Sequence, residues 1–244
     1  MTIRTVTLVG ATGGAGTTRL SVEVAATLAR DGREVAVIDA NYATQGLADY
    51  VDGRIDPDVT TLVTDDETAV TDALVDLDVD APGSVAACPA RAAFEALARA
   101  KTAGAAERLG ETIDTAAERV DHVVVDAPPV ADNPAVAAVT RADRVGVVLP
   151  ASNRGVDALQ RLRGRLADVG TAADLVVSNR GEDPVEEADL TVPESAVVRP
   201  GNAPAVTDPD DAYAPAVAAV AETLFDASLD VEFPEDGLLS DVLQ

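Results

Sequence analysis

Short β-branched runs bounded by Gly or Pro alternate along this chain with longer stretches whose apolar residues return every three or four positions. Runs of the first kind suit parallel strands buried on both faces, and stretches of the second kind suit amphipathic helices. Residues 3–9 predict the first strand. A helix follows over 17–31, with Leu20, Val24, Thr27 and Leu28 on one face and Asp31-Gly32 as its stop. Strand 34–39 begins two residues later, which makes a right-handed βαβ unit the natural closure. Val85-Ala86-Ala87-Cys88 predicts a strand stopped by Pro89, then helices at 91–100 and 104–119 and a strand at 121–126. Asp132-Asn133-Pro134 starts a helix to residue 140, with proline tolerated in its first turn. Strand 143–149, helix 154–168, strand 173–178 and a last helix over 212–226, entered through Asp208-Pro209-Asp210-Asp211, complete the pattern. A further helix is expected over 66–76. The alternation predicts an α/β fold: a doubly wound, mostly parallel sheet of about seven to eight strands with helices on both faces. It also predicts one domain over 1–226 and an acidic tail over 227–244.

The first strand runs into Gly10-Ala11-Thr12-Gly13-Gly14-Ala15-Gly16-Thr17-Thr18-Arg19, and the helix starts at once. A strand, a glycine-rich turn and a helix start make a phosphate cradle. Glycines let successive N–H groups converge on one anion, and the helix N-terminus adds partial positive charge. The generic phosphate-loop pattern G-x-x-x-x-G-K-[ST] would place Gly at 11 and Lys at 17, where the chain has Ala11 and Thr17.

Thr12 to Arg19 resembles instead the deviant loop of the MinD/ParA family of dimerising ATPases, K-G-G-x-G-K-[ST]-[ST]. Gly13, Gly14, Gly16 and the hydroxyl of Thr18 are kept, while threonine stands where both family lysines would be. The resemblance continues downstream. Val35-Ala36-Val37-Ile38-Asp39-Ala40-Asn41 is similar to the switch segment, with Asn41 in place of the aspartate associated with the attacking water. His122-Val123-Val124-Val125-Asp126-Ala127-Pro128-Pro129 resembles the Walker B strand and its exit. Val176-Val177-Ser178-Asn179-Arg180 resembles the strand whose Asn contacts adenine, and Leu190-Thr191-Val192-Pro193-Glu194 the strand and loop beside the base. The match runs over residues 1–225. It implies a P-loop NTPase-like fold with ATP or ADP held by Gly13, Gly14, Ala15, Gly16, Thr17, Thr18, Arg19, Asn179 and Pro193. It implies Mg²⁺ on Thr18, Asp39 and Asp126. Arg19 is the only local cation to replace the lost lysine, since Lys101 is the single lysine in the chain.

Composition narrows the partners. The chain has 29 Asp and 14 Glu against 17 Arg and one Lys, a formal charge of −25. An acidic, lysine-poor surface stays hydrated in molar salt and suits a haloarchaeal protein; salt also weakens binding to duplex DNA steeply, so a DNA partner is unlikely on composition. Residues 49–80 hold eleven acids and Arg54 alone as a cation, a solvated surface. Residues 141–165 invert this, with six arginines. Arg154, Arg161 and Arg165 fall on one helical face, either salt-bridged to the chain's own carboxylates or offered to a partner. One cysteine, Cys88, permits no internal disulfide and suits a reducing cytoplasm; it also excludes the iron–sulfur relatives of this fold, which need paired cysteines. His122, the only histidine, is expected to be structural. No apolar run is long enough to cross a membrane, no signal peptide is expected, and the tail lacks the basic residues of a membrane-targeting helix.

These observations predict a regulatory or spatial-organisation protein of the MinD/ParA type, a homodimer or a heterodimer with a related chain. It acts through a protein partner, with weak or absent ATP hydrolysis. Two alternatives stay open: an active ATPase in which Arg19 or a partner chain supplies the missing charge, and a ParA-like DNA partition protein using the 141–165 arginines.

Overall fold

The computed structural model describes residues 2–181, 185–207 and 212–233. The β-branched runs form eight strands: β1 (Thr5–Gly10), β2 (Glu34–Asp39), β3 (Val75–Leu77), β4 (Ser84–Cys88), β5 (His122–Ala127), β6 (Arg144–Pro150), β7 (Leu175–Asn179) and β8 (Leu190–Val192). They lie in one sheet in the order β3-β4-β2-β5-β1-β6-β7-β8. Every pairing is parallel except that of β3 with β4.

The helices are α1 (Thr17–Arg30), α2 (Val59–Leu62), α3 (Phe94–Ala100), α4 (Ala103–Ala117), α5 (Asn133–Arg141), α6 (Asn153–Asp168) and α7 (Tyr213–Phe225). Their starts follow the expected capping chemistry: Thr102, Asp132 and Ser152 accept from backbone N–H groups of the first turns of α4, α5 and α6. Two cores result. Val9, Ile38, Val123 and Val125 face Leu109, Ile113, Val139, Leu159 and Leu166 of α4, α5 and α6. Val6, Leu8, Val37 and Val124 face Leu20, Leu28, Val217 and Leu224 of α1 and α7. Because successive strand residues feed opposite cores, the central strands read as unbroken apolar runs.

One expected helix is absent. Residues 66–76 form turns and a short 3₁₀ segment at Val70–Asp72, and Val75–Leu77 is the antiparallel edge strand. Thr, Val and Asp are weak helix formers, and pairing with Val85–Ala87 gives this backbone the hydrogen bonds a helix would have supplied. The entrance to the last helix, 208–211, and the tail's apolar end lie outside the described residues. Residues 227–233 lie back against the end of α1, where Arg30 donates to the Glu232 carbonyl at 2.6 Å and sits 5.2 Å over the Phe233 ring. His122 meets the Phe225 ring edge-on at 4.6 Å, and burial lowers its pKa. It is a neutral packing residue at the opposite end of β5 from Ala127.

A buried carboxylate holds the long segment after β8 to α1. Glu23, with no exposed surface, accepts from Arg19 Nε at 2.5 Å, from Ala205 N at 2.8 Å and from Val206 N at 3.0 Å. Removing it takes the carboxylate from a half-buried guanidinium and leaves two backbone donors without their acceptor. We therefore expect Glu23→Ala to cost about 3 kcal/mol in denaturant unfolding, well above an ordinary surface change; a loss below 1 kcal/mol would show that the segment does not depend on this group.

Candidate functional site

In an open parallel sheet, ligands bind beyond the carboxyl ends of the strands. Here that edge gathers the glycine-rich loop after β1, Asp39 at the end of β2, Asp126 near the end of β5 and Asn179 at the end of β7. The loop is bent as its glycines allow: Gly14 and Gly16 have φ of 76° and 86°, in the left-handed region. Gly16 is also the N-cap of α1 and leaves its first turn without a side-chain cap. Those N–H groups therefore stay available to an anion, with the helix dipole behind them.

The structure brings together Thr18, Asp39 and Asp126, the three residues expected on the metal side. Asp39 and Asp126 are direct partners in the β2–β5 register, both fully buried. Thr18 donates its hydroxyl to Asp126 Oδ2 at 2.5 Å, and Asp126 Oδ1 is buried with no partner. Asp39 accepts from Asn41 N at 2.8 Å and Ala90 N at 3.3 Å. Gly46 packs so closely on Thr18 that a Cβ there would fall 3.2 Å from Oγ1. Two carboxylates, one orphaned oxygen and a hydroxyl fit a hard dication that takes its other ligands from water and phosphate. Among the described residues no larger group of His, Cys, Asp and Glu could hold a metal.

The lysine side is different. Thr17 is buried, its Oγ1 within 2.8 Å of where a Cβ on Gly10 would lie. Arg19, the expected replacement, points away from the cradle: besides Glu23 it donates to the Val197 carbonyl at 3.0 Å. It lines a side cavity of about 190 Å³ with Tyr50, Asn179, Arg180, Pro193 and Tyr213. Asn179 and Pro193 thus share a pocket beside the loop. Asn179 also donates to the Ala15 carbonyl at 2.9 Å.

Sequence reasoning missed Arg180. Its guanidinium donates to the Gly14 carbonyl at 3.2 Å, and its backbone has φ of 58°. Its place next to Asn179 was visible in the sequence, but the left-handed turn that swings it onto the loop was not. Arg154, Arg161 and Arg165 lie together along α6, apart from these groups, and none makes an ion pair among the described residues; Arg165 donates to the Val130 carbonyl at 3.0 Å.

Burial first raises both carboxylates; the charge of Asp39 then adds to the rise at Asp126, to about 8, and the charge of Asp58 to that at Asp39, to about 6. The folded pair keeps protons that the unfolded chain has released above about pH 4. Its contribution to stability is therefore complete below about pH 4 and is lost as pH rises through about 6 and 8. Thermal unfolding in chelator should drop across that window, Asp126→Asn should flatten the drop, and Mg²⁺ should restore more stability at pH 8 than at pH 5. A profile unchanged by Asp126→Asn would remove the pair as its origin.

A family model described as an AAA domain matches residues 3–175. Among solved structures the chain is similar to the septum site-determining protein MinD of Pyrococcus horikoshii OT3 complexed with Mg-ADP. Identity is 21% and TM-score 0.73, over 90% of this chain and 94% of that one. A chain of the MinC:MinD cell division protein complex of Aquifex aeolicus matches at 21% identity and TM-score 0.74, over 94% and 98%. A ParA family ATPase of Chlorobium tepidum TLS matches at 15% identity and TM-score 0.72, over 89% and 98%. No curated protein matches. The fold expected from the motifs is thereby borne out, and with the family model covering well over half its length, the chain belongs to the AAA domain family and has the fold of the MinD/ParA proteins.

Proposed function

We propose that this chain is a regulatory or spatial-organisation protein of the MinD/ParA type that uses its loop to bind a Mg-nucleotide weakly and turns it over little or not at all. The carrying observation is the contrast between the two sides of the site. Thr18, Asp39 and Asp126 are in place, while Arg19 is withdrawn onto Glu23 and Thr17 brings no charge. Phosphoryl transfer is catalysed mainly by positioning and by charge on the transferring group. A bound Mg²⁺ would supply part of that charge. The two absent lysines would have supplied more, and losing one strong donor in such a site costs roughly 10²–10³-fold in rate. Asn41 offers no carboxylate to orient water. Binding without turnover suits a protein whose output is assembly: a homodimer, or a dimer with a related chain, engaging a protein partner. Support for assembly comes by likeness from MinD, which occurs in a complex with MinC.

The Arg154, Arg161 and Arg165 face is the surface we assign to such a partner. All three are exposed and unpaired with carboxylates among the described residues, which disfavours the reading in which the chain's own acids cover them. A DNA role for this face is weaker, because the chain carries −25 overall. Among the described residues no helix is long and apolar enough to cross a bilayer.

Phosphate release with Mg-ATP in molar KCl tests the reading. The wild type should release no phosphate above background, and Arg19→Ala should behave the same. Thr17→Lys should tighten Mg-ATP by tenfold or more, on the order of one charge-assisted contact, read as a larger thermal shift. Turnover by the wild type that disappears in Arg19→Ala would establish the active-ATPase alternative instead.

A further inference from the structure

The loop has lost its lysine, yet two side chains from the far side of the site grip it. Asn179 Nδ2 donates to the Ala15 carbonyl at 2.9 Å and Arg180 Nη2 to the Gly14 carbonyl at 3.2 Å. Both reach across 164 or more residues of sequence to consecutive peptide groups of one turn. We propose that Asn179 and Arg180 form a clamp on the outer face of the glycine-rich loop, with Arg180 a positioning residue that stands in for part of what the missing lysine would supply. This rests on the reading of the loop as a cradle for the phosphates of a Mg-nucleotide.

In a planar trans peptide the C=O of one residue and the N–H of the next point to opposite sides. Holding the Gly14 and Ala15 carbonyls toward the clamp aims the N–H groups of Ala15 and Gly16 away from it, to the inside of the turn. The Ala15 N–H points there and donates to the Thr12 carbonyl across the turn, a long bond with N···O of 3.4 Å. A phosphate-binding loop in water would otherwise spend free energy ordering these peptides when the anion arrives; a clamp orders them beforehand. A lysine that reaches into the cradle normally rewards the ordered loop with its charge. Without one, preorganisation carries more of the affinity.

Two features show that the contact is built into the chain. A Cβ on residue 16 would fall 2.7 Å from Arg180 Nη2 and closer still to Asn179 Nδ2, so the clamp closes only over a glycine. Arg180 pays for its reach with a left-handed backbone, φ of 58°, unusual for a residue with a side chain. Its guanidinium has no ion-pair partner among the described residues, although acids outnumber bases by 43 to 18 in the chain. The charge is therefore left beside the phosphate loop unneutralised by any described carboxylate.

The test is calorimetric titration of the full chain in molar KCl with two probes, Mg-ADP and Mg-pyrophosphate, the second having no base. Arg180→Ala should weaken both by a similar factor of about tenfold, the loss of one charge-assisted hydrogen bond. Arg180→Lys, which keeps the charge and a donor, should recover most of it, and the ligand-free melting temperatures should agree within a few degrees. Weakening of Mg-ADP alone, or wild-type binding of Mg-ADP without Mg-pyrophosphate, would overturn the proposal and make Arg180 a base contact. Unchanged affinities in Arg180→Ala would overturn it as well. If the wild type binds neither probe but Thr17→Lys binds both, the clamp does not stand in for lysine, and the cradle reading survives. Should Thr17→Lys also bind neither, both readings fail.

Discussion

Two carboxylates placed side by side with no exposure to water are the constraint around which the carboxyl edge of this sheet is arranged. The pairing of β2 with β5 fixes Asp39 opposite Asp126, and burying them raises the cost of ionising both. Their surroundings answer that cost with donors. The Thr18 hydroxyl comes from the first turn of α1, and two backbone N–H groups come from the segments after β2 and β4. Those segments are then fastened to each other: Gln45 and Ala92 exchange two hydrogen bonds, and the buried Asp58 accepts from Arg91 N at 2.7 Å. A change of charge at the pair therefore bears on the loops on either side of it.

The same reasoning explains how the scarce cations are used. Lys101, the one lysine, pairs with Asp132 at 3.0 Å, at the N-cap of α5. Arg19 is spent on Glu23, where it helps hold the segment after β8 against α1. Neither is free to reach the phosphate cradle. In molar salt the Debye length falls to about 3 Å, so a cation acts on an anion only at contact. Under that condition a guanidinium hydrogen-bonded to the loop matters more than a general excess of positive charge elsewhere.

Much of this was legible in the sequence, because buried parallel strands and glycine turns leave strong marks. The runs ending at Gly10, Asp39, Asp126 and Asn179 are short, apolar and bounded, and the structure puts all four ends on one edge. What escaped depends on tertiary pairing. Val75–Leu77 is too short and too acidic in its surroundings to announce a strand, and becomes one because β4 has an open edge. The withdrawal of Arg19 requires knowing that Glu23, one helical turn on, is sealed beneath the 205–207 segment. Arg180 needs a positive φ that no local pattern near it demands.

The motif residues differ in what each does for folding. Asp39, Asp126 and Thr18 are knit into the sheet and the first turn of α1, so losing any of them would leave buried donors or acceptors without partners. A lysine at 12 or 17 would contribute little to the fold. At 17 it would bring a charge into a position that the threonine fills while only 7% exposed, packed against Gly10. The fold therefore depends on Thr18, Asp39, Asp126 and the shape of the loop, and not on a lysine at 12 or 17. That difference is the contrast on which the proposed weak turnover rests.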